Sequence, residues 1–92
     1  MTAIRVSKLI RTSAQAPSQW EGSTVDGLFV YVRYRWGRLN IGSGATLAEA
    51  VKNGNNVFEK QIGSKLDRML EYDKLREITA GVIEWPENFQ NK

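Results

Sequence analysis

From Leu28 to Ser43 the chain reads Leu-Phe-Val-Tyr-Val-Arg-Tyr-Arg-Trp-Gly-Arg-Leu-Asn-Ile-Gly-Ser. β-Branched and aromatic residues, the types that favour a pleated surface, fill it up to Trp36. With Trp36 and Gly37 as the two residues of a tight turn, glycine supplies the positive φ such a turn requires. Arg35 then faces Arg38, Tyr34 faces Leu39, Arg33 faces Asn40 and Val32 faces Ile41. One face becomes Val30, Val32, Tyr34, Leu39 and Ile41. The other becomes Phe29, Tyr31, Arg33, Arg35, Arg38 and Asn40. Both strands segregate under a single register, as an antiparallel pair with one buried face must. The stretch is a β-hairpin with an apolar inner face and a basic, aromatic outer one.

On the C-terminal side, Thr46 with Glu49 three residues on is a capping box that opens a helix. Leu47, Ala50, Val51, Phe58 and Ile62 recur at helical spacing, which predicts a helix running to a stop at Gly63, with Gly54 inside it. Ser64 and Asp67 are placed to open a second helix, with Leu66, Met69 and Leu70 on its inner face. Lys74 to Trp85 reads either as more of that helix or as a final strand. Thr79, Val82, Ile83 and Trp85 favour the strand, and Gly81 weighs against an uninterrupted helix. Pro86 ends this element, and residues 87–92 read as a tail. On the N-terminal side, residues 3–11 form a first strand, with Ile4, Val6 and Ile10 on one parity interrupted by Lys8. Residues 12–27, rich in Ser, Thr, Gln, Gly and Pro17, read as a long loop with Trp20 as its anchor. The expected fold is a single α+β domain over residues 1–92. An antiparallel sheet of three or four strands carries one or two helices packed on one face.

Composition narrows the chemistry. The 92 residues contain neither cysteine nor histidine. That excludes disulfides, thiolate nucleophiles and the usual zinc sites, and removes the commonest general base. Lysine and carboxylate chemistry stay open. No stretch approaches the ~20 apolar residues of a membrane-spanning helix. The N-terminus lacks the apolar core of a secretory signal. The expectation is a soluble protein of the cytoplasm. Net charge is +3, unevenly spread. Residues 1–45 carry six cations, five of them arginine, against two anions, whereas residues 46–92 carry seven against eight. This asymmetry favours an anionic partner, and arginine's planar fork suits phosphates and base edges.

The outer hairpin face is the candidate site, comprising Phe29, Tyr31, Arg33, Arg35, Trp36, Arg38 and Asn40. Neighbouring like charges repel unless something anionic lies across them. Arginine forks bind phosphates, often bidentately. Tyr31 and Phe29 offer flat faces for unpaired bases, and Asn40 suits a base edge or a phosphate. Of the three tryptophans, Trp36 at the turn is the one expected to be exposed. The alternative is a solvated face whose arginines pair with carboxylates from the second half of the chain. Gly42-Ser43-Gly44-Ala45-Thr46 lacks the lysine and spacing of a phosphate-binding loop and reads as a strand-to-helix turn. Asp67, Glu71 and Asp73 are interleaved with Arg68, Lys74 and Arg76, so they read as a solvated helix face rather than metal ligands. No catalytic residue, metal, cofactor or small-molecule substrate is expected.

The stretch Tyr31 to Gly42 followed by Thr46-Leu-Ala-Glu-Ala-Val resembles two related families, the plant ethylene-response-factor DNA-binding domain and the arm-binding domain of phage integrases. Both place a small antiparallel sheet with outward arginines and aromatics in a DNA groove, backed by a helix. The likeness covers residues 29–63 and implies a small DNA-binding regulatory protein. The chain beyond Gly63 departs from both families. As a whole, in length and general sequence, the chain is similar to small phage anti-CRISPR proteins of the type I-F group. That resemblance implies an inhibitor that binds a crRNA-guided Cas surveillance complex in the infected host's cytoplasm and blocks its access to target DNA. Its partners would then be Cas proteins and crRNA. A positively charged sheet cannot imitate DNA, so it would contact guide RNA or acidic protein surface.

Overall fold

The computed structural model describes residues 4–13, 18–52, 56–64 and 70–91. It is a mostly-sheet α+β domain. The strands are β1 (Ile4–Ser13), β2 (Ser18–Thr24), β3 (Phe29–Arg35), β4 (Arg38–Gly44), β5 (Asn56–Gln61), β6 (Ile83–Glu84) and β7 (Gln90–Asn91). The helices are α1 (Leu47–Val51) and α2 (Tyr72–Ile78). The long strands form an antiparallel meander in the order β5-β4-β3-β2-β1. β6 and β7 pair in parallel with β1, at residues 4–5 and 10–11 respectively. The sheet is thus wider than the three or four strands expected.

The hairpin forms in the expected register, from Arg35 opposite Arg38 to Val32 opposite Ile41. Trp36 and Gly37 both take positive φ, at 56° and 72°, the combination of a two-residue type I′ turn. Val30, Val32, Tyr34, Leu39 and Ile41 are all buried. They are joined in one core by Val6, Leu9, Trp20, Leu70, Leu75 and Ile83.

Residues 18–24, expected within a loop, are instead a strand near the middle of the sheet. β2 pairs with both β1 and β3, and Ser18, Trp20 and Thr24 are buried on its inner side. Trp20 is fully enclosed, the anchor expected of it, and supplies most of the apolar area of its strand. β1 also departs from simple alternation. Val6 pairs with Thr24 but Lys8 pairs with Ser23, so one extra residue is accommodated between them. This bulge flips the parity. Leu9 rather than Ile10 enters the core, and Lys8 stays in solvent.

The first helix forms but is short. The Thr46 hydroxyl accepts from Glu49 N (3.2 Å), the first half of a capping box, while the Glu49 carboxylate accepts from Ala45 N (2.9 Å), one residue before the cap. It ends at Val51 rather than reaching Ile62. Gly54 lies outside the described residues, and the sequence Asn-Gly-Asn-Asn at 53–56 carries strong turn formers. Residues 56–61 are an edge strand on β4, with Phe58 directed at the core opposite Ile41. Gly63 is not a helix stop; its N–H donates to the Gly37 carbonyl.

Of the expected second helix, Leu66 and Met69 lie outside the described residues, and Leu70 is a buried, non-helical core residue. Its N–H donates to Ser18 Oγ (3.0 Å). The segment 74–85 neither continues that helix nor forms one strand, because Leu70 and Glu71 are non-helical and a separate helix starts at Tyr72. α2 runs to Ile78, favoured by Lys, Leu, Arg and Glu, and β6 follows after a turn. The Thr79 hydroxyl donates to Leu75 O (2.8 Å) and accepts from Trp85 Nε1 (2.7 Å), tying the two together. Nor is the chain after Pro86 a free tail. Phe89 packs edge-on against Tyr72 and Trp20, and β7 joins the sheet.

The helices do not share a face. Leu75 of α2 joins the core on the inner side. α1 lies on the outer side, where a Cβ on Gly44, the neighbour of Phe29, would run into Glu49 Cβ. Ala50 is buried there, beside Tyr31 and Gly42.

Candidate nucleic-acid interface

The outer face is a grid fixed by strand register. Arg33 sits between Asn40 and Gln19, and Tyr31 sits between Gly42 and Glu21. Beyond Asn40 and Arg38, on β5, come Glu59 and Gln61. Arg35 and Arg38 close the grid at the turn.

The three arginines have three different environments. Arg38 is neutralised. Its Nε donates to Glu59 Oε1 (2.8 Å), and Nη2 donates to the same oxygen. Asn56 Nδ2 donates to the other carboxylate oxygen (3.1 Å). These hydrogen bonds, Arg38's foremost, hold the Glu59 carboxyl below the usual glutamate range. At this position an arginine of the outer face is paired with a carboxylate from the second half of the chain. Arg35 lies with its guanidinium carbon 3.9 Å from the centroid of the Trp36 ring. Arg33 is half-buried, and its Nε is enclosed with no acceptor among the described residues. Neither Arg33 nor Arg35 forms an ion pair with a described residue.

The aromatics divide likewise. Trp36 is 56% exposed, as expected of the turn position. Tyr31 is half-buried in a recess shared with Ala50 and Val51 of α1, so it is not the open platform expected. Phe29 is exposed at the opposite end of the strand, beside Gly44. The expected site therefore falls into two adjoining recesses that share Arg33, Arg38 and Asn40. Arg33, Arg35, Trp36, Arg38, Asn40 and Gln61 line one recess of about 470 Å³ at the tip. Tyr31, beside α1, lies in an adjoining recess that Arg33, Arg38 and Asn40 also line, and Phe29 lies at the far end of the strand.

The tip is braced from β5 and the residues after it. The Gly37 carbonyl accepts from Ile62 N (2.8 Å) and Gly63 N (3.0 Å). Gln61 Nε2 bridges the Trp36 and Gly63 carbonyls at 3.0 and 2.8 Å. A Cβ at residue 37 would overlap the carbonyl oxygens of Gly63 and Ser64, so glycine is required there by space as well as by φ. Glu59 and Gln61 were not anticipated, because residues 56–61 were read as helix. No alternation in the sequence marks this strand, since its apolar residues Val57 and Phe58 are adjacent and a register shift puts Asn56 on the same face as Glu59.

Among the described residues, no three carboxylates cluster as metal ligands, and no helix is long and apolar enough to cross a membrane. Searches of family models, curated proteins and solved structures gave no match to this chain.

Proposed function

We propose that the chain is a non-enzymatic inhibitor that docks through its hairpin tip on a nucleoprotein, a crRNA-guided Cas surveillance complex of an infected bacterium, and blocks target DNA binding. The identity of the partner follows from the whole-chain resemblance to type I-F anti-CRISPR proteins. The chemistry follows from the tip. The observation that carries it is the pairing of an exposed indole with two arginines, Arg33 and Arg35, that no described carboxylate neutralises. Arginine and tryptophan are enriched where a few residues dominate binding energy. An anionic partner would offset the repulsion between neighbouring guanidinium groups.

The competing reading is a small DNA-binding regulator, favoured by the hairpin's likeness to integrase arm-binding domains. In those domains the helix backs the sheet. Here α1 sits on the arginine face, which weakens that reading. Capture from a lysate containing the Cas complex, with and without nuclease treatment, separates the two. Co-elution of Cas proteins in both samples supports the inhibitor. Recovery of DNA alone, abolished by nuclease, would support the regulator.

A further inference from the structure

Residue 36 occupies a backbone position that tryptophan fills badly. At φ 56° it lies in the left-handed region, which a side chain with a Cβ disfavours. Asn-Gly is the favoured pair for such a turn. Burial does not repay the cost, since over half of the Trp36 surface is in solvent. Its contact with Arg35 returns little at an exposed site. A bulky residue held in an unfavourable conformation at an exposed tip points to a use for the side chain itself.

What the indole could meet is limited by its surroundings. Arg35 lies over the ring, Arg33 stands on the same strand, and Asn40 and Gln61 bring amides to the same recess. The set combines an aromatic platform, two cations with no carboxylate partner among the described residues, and neutral hydrogen-bonding groups. A nucleotide presents the matching parts, namely a flat base, a phosphate and polar base edges. α1 covers the far half of the outer face, over Gly42 and Gly44, so the sheet cannot lie flat along a duplex groove. No residue of α1 lines the recess at the tip. A base inside a duplex is stacked on both sides and cannot reach the ring, whereas an unpaired base can.

Resting on the reading of the tip as an anion-binding surface, we propose that its ligand is single-stranded polynucleotide. One unpaired base stacks at Trp36 and the adjoining phosphates meet Arg33 and Arg35. RNA and DNA single strands share this chemistry.

The test titrates the full chain with four labelled probes, single-stranded RNA, single-stranded DNA, duplex RNA and duplex DNA. It compares the wild type with Trp36→Asn, Trp36→Phe and the double variant Arg33→Ala/Arg35→Ala. Trp36→Asn relieves the backbone strain, so it should melt at a higher temperature than wild type. It should nevertheless bind single strands roughly ten-fold or more weakly, the size of one lost stack. Trp36→Phe should recover part of that binding. The drop in tryptophan fluorescence on adding a single strand should vanish in both. The RNA and DNA arms then identify the source of the strand.

Equal or tighter binding of duplex, or unchanged affinity in Trp36→Asn, overturns the single-strand assignment. If the double arginine variant still loses binding in that case, the tip remains an anion-binding surface and only the inference falls. If no polynucleotide binds, the inference falls too, and capture of Cas proteins by wild type but not by the double arginine variant decides whether the broader reading survives.

Discussion

Arg38 and Glu59, 21 residues apart, meet side by side across β4 and β5, with the Arg38 Nε 2.8 Å from Glu59 Oε1. This pair removes one of the three hairpin arginines from the charge available to a partner. Both side chains remain partly exposed to solvent, so the pair contributes little to stability. Its effect is on binding. Glu59→Gln should release Arg38, raising affinity for a polyanion and steepening its salt dependence by roughly one unit of slope. Arg38→Ala should change binding less than alanine at Arg33 or Arg35. An unchanged salt slope in Glu59→Gln would show that Arg38 never reaches the ligand.

The same pair sets a pH dependence. Arg38's hydrogen bonds, and then Asn56's, lower the Glu59 pKa in the folded protein. A carboxyl with a depressed folded pKa contributes stability above its unfolded value and loses it as pH falls through the folded one. The loss is therefore confined to the acid limb, below the ordinary carboxylate range. As Glu59 protonates there, Arg38 is released. Carboxylate NMR should give Glu59 a midpoint below the usual glutamate value, and Arg38→Ala should raise it. No movement of that midpoint in Arg38→Ala would refute the assignment.

Gly37 and Gly27 both hold positive φ, at 72° and 87°, but in different surroundings. A Cβ at residue 27 meets nothing within 4 Å, whereas one at 37 overlaps two backbone carbonyls. Gly27→Ala should cost only the conformational penalty, about 1–2 kcal/mol. Gly37→Ala must in addition push the 62–64 segment off the tip, so thermal melts should show a clearly larger loss. It should also weaken polyanion binding, since Trp36 and Arg35 lose their brace. Equal melting temperatures for the two variants would mean that the tip is not clamped as described.

The hairpin was legible because its pattern is local. Seven consecutive residues of β3 alternate, a two-residue turn fixes the register, and β4 repeats the alternation. What was illegible depended on partners distant in sequence. β2 has one large apolar residue, Trp20, among inward-facing Ser18 and Thr24, so its composition imitates a loop. β5 is an edge strand with only Phe58 turned to the core. With Leu47, Ala50, Val51 and Ile62, that residue happens to satisfy helical spacing. The bulge before Lys8 flips the parity of β1, which alternation alone cannot locate. At the site, Arg33, Arg35 and Trp36 followed from register. The pairing of Arg38 and the seating of α1 on the outer face did not, because each is a contact between separate elements.

Tyr72 gives the C-terminal segment its own pH response. Its ring centroid lies 4.8 Å from Phe89 and 6.4 Å from Trp20, and its hydroxyl donates to the Pro86 carbonyl. Burial pushes the phenol above the ordinary tyrosine value, opposed only in part by Arg76. The folded state thus favours the neutral phenol. Its contribution is fully present below the unfolded value of about 10 and is lost as pH rises through the folded one. Above that range the phenolate can no longer donate to Pro86, and Phe89 loses a neutral neighbour. Alkaline titration should therefore release residues 83–91 from β1, seen as hydrogen exchange quickening at the amides of β6 and β7. Tyr72→Phe keeps the ring packing but has no proton to lose. It should be weaker at neutral pH by about 0.5–1.5 kcal/mol, one hydrogen bond, yet show a flatter alkaline limb. If wild type and Tyr72→Phe lose stability in parallel as pH rises, some group other than Tyr72 governs the release.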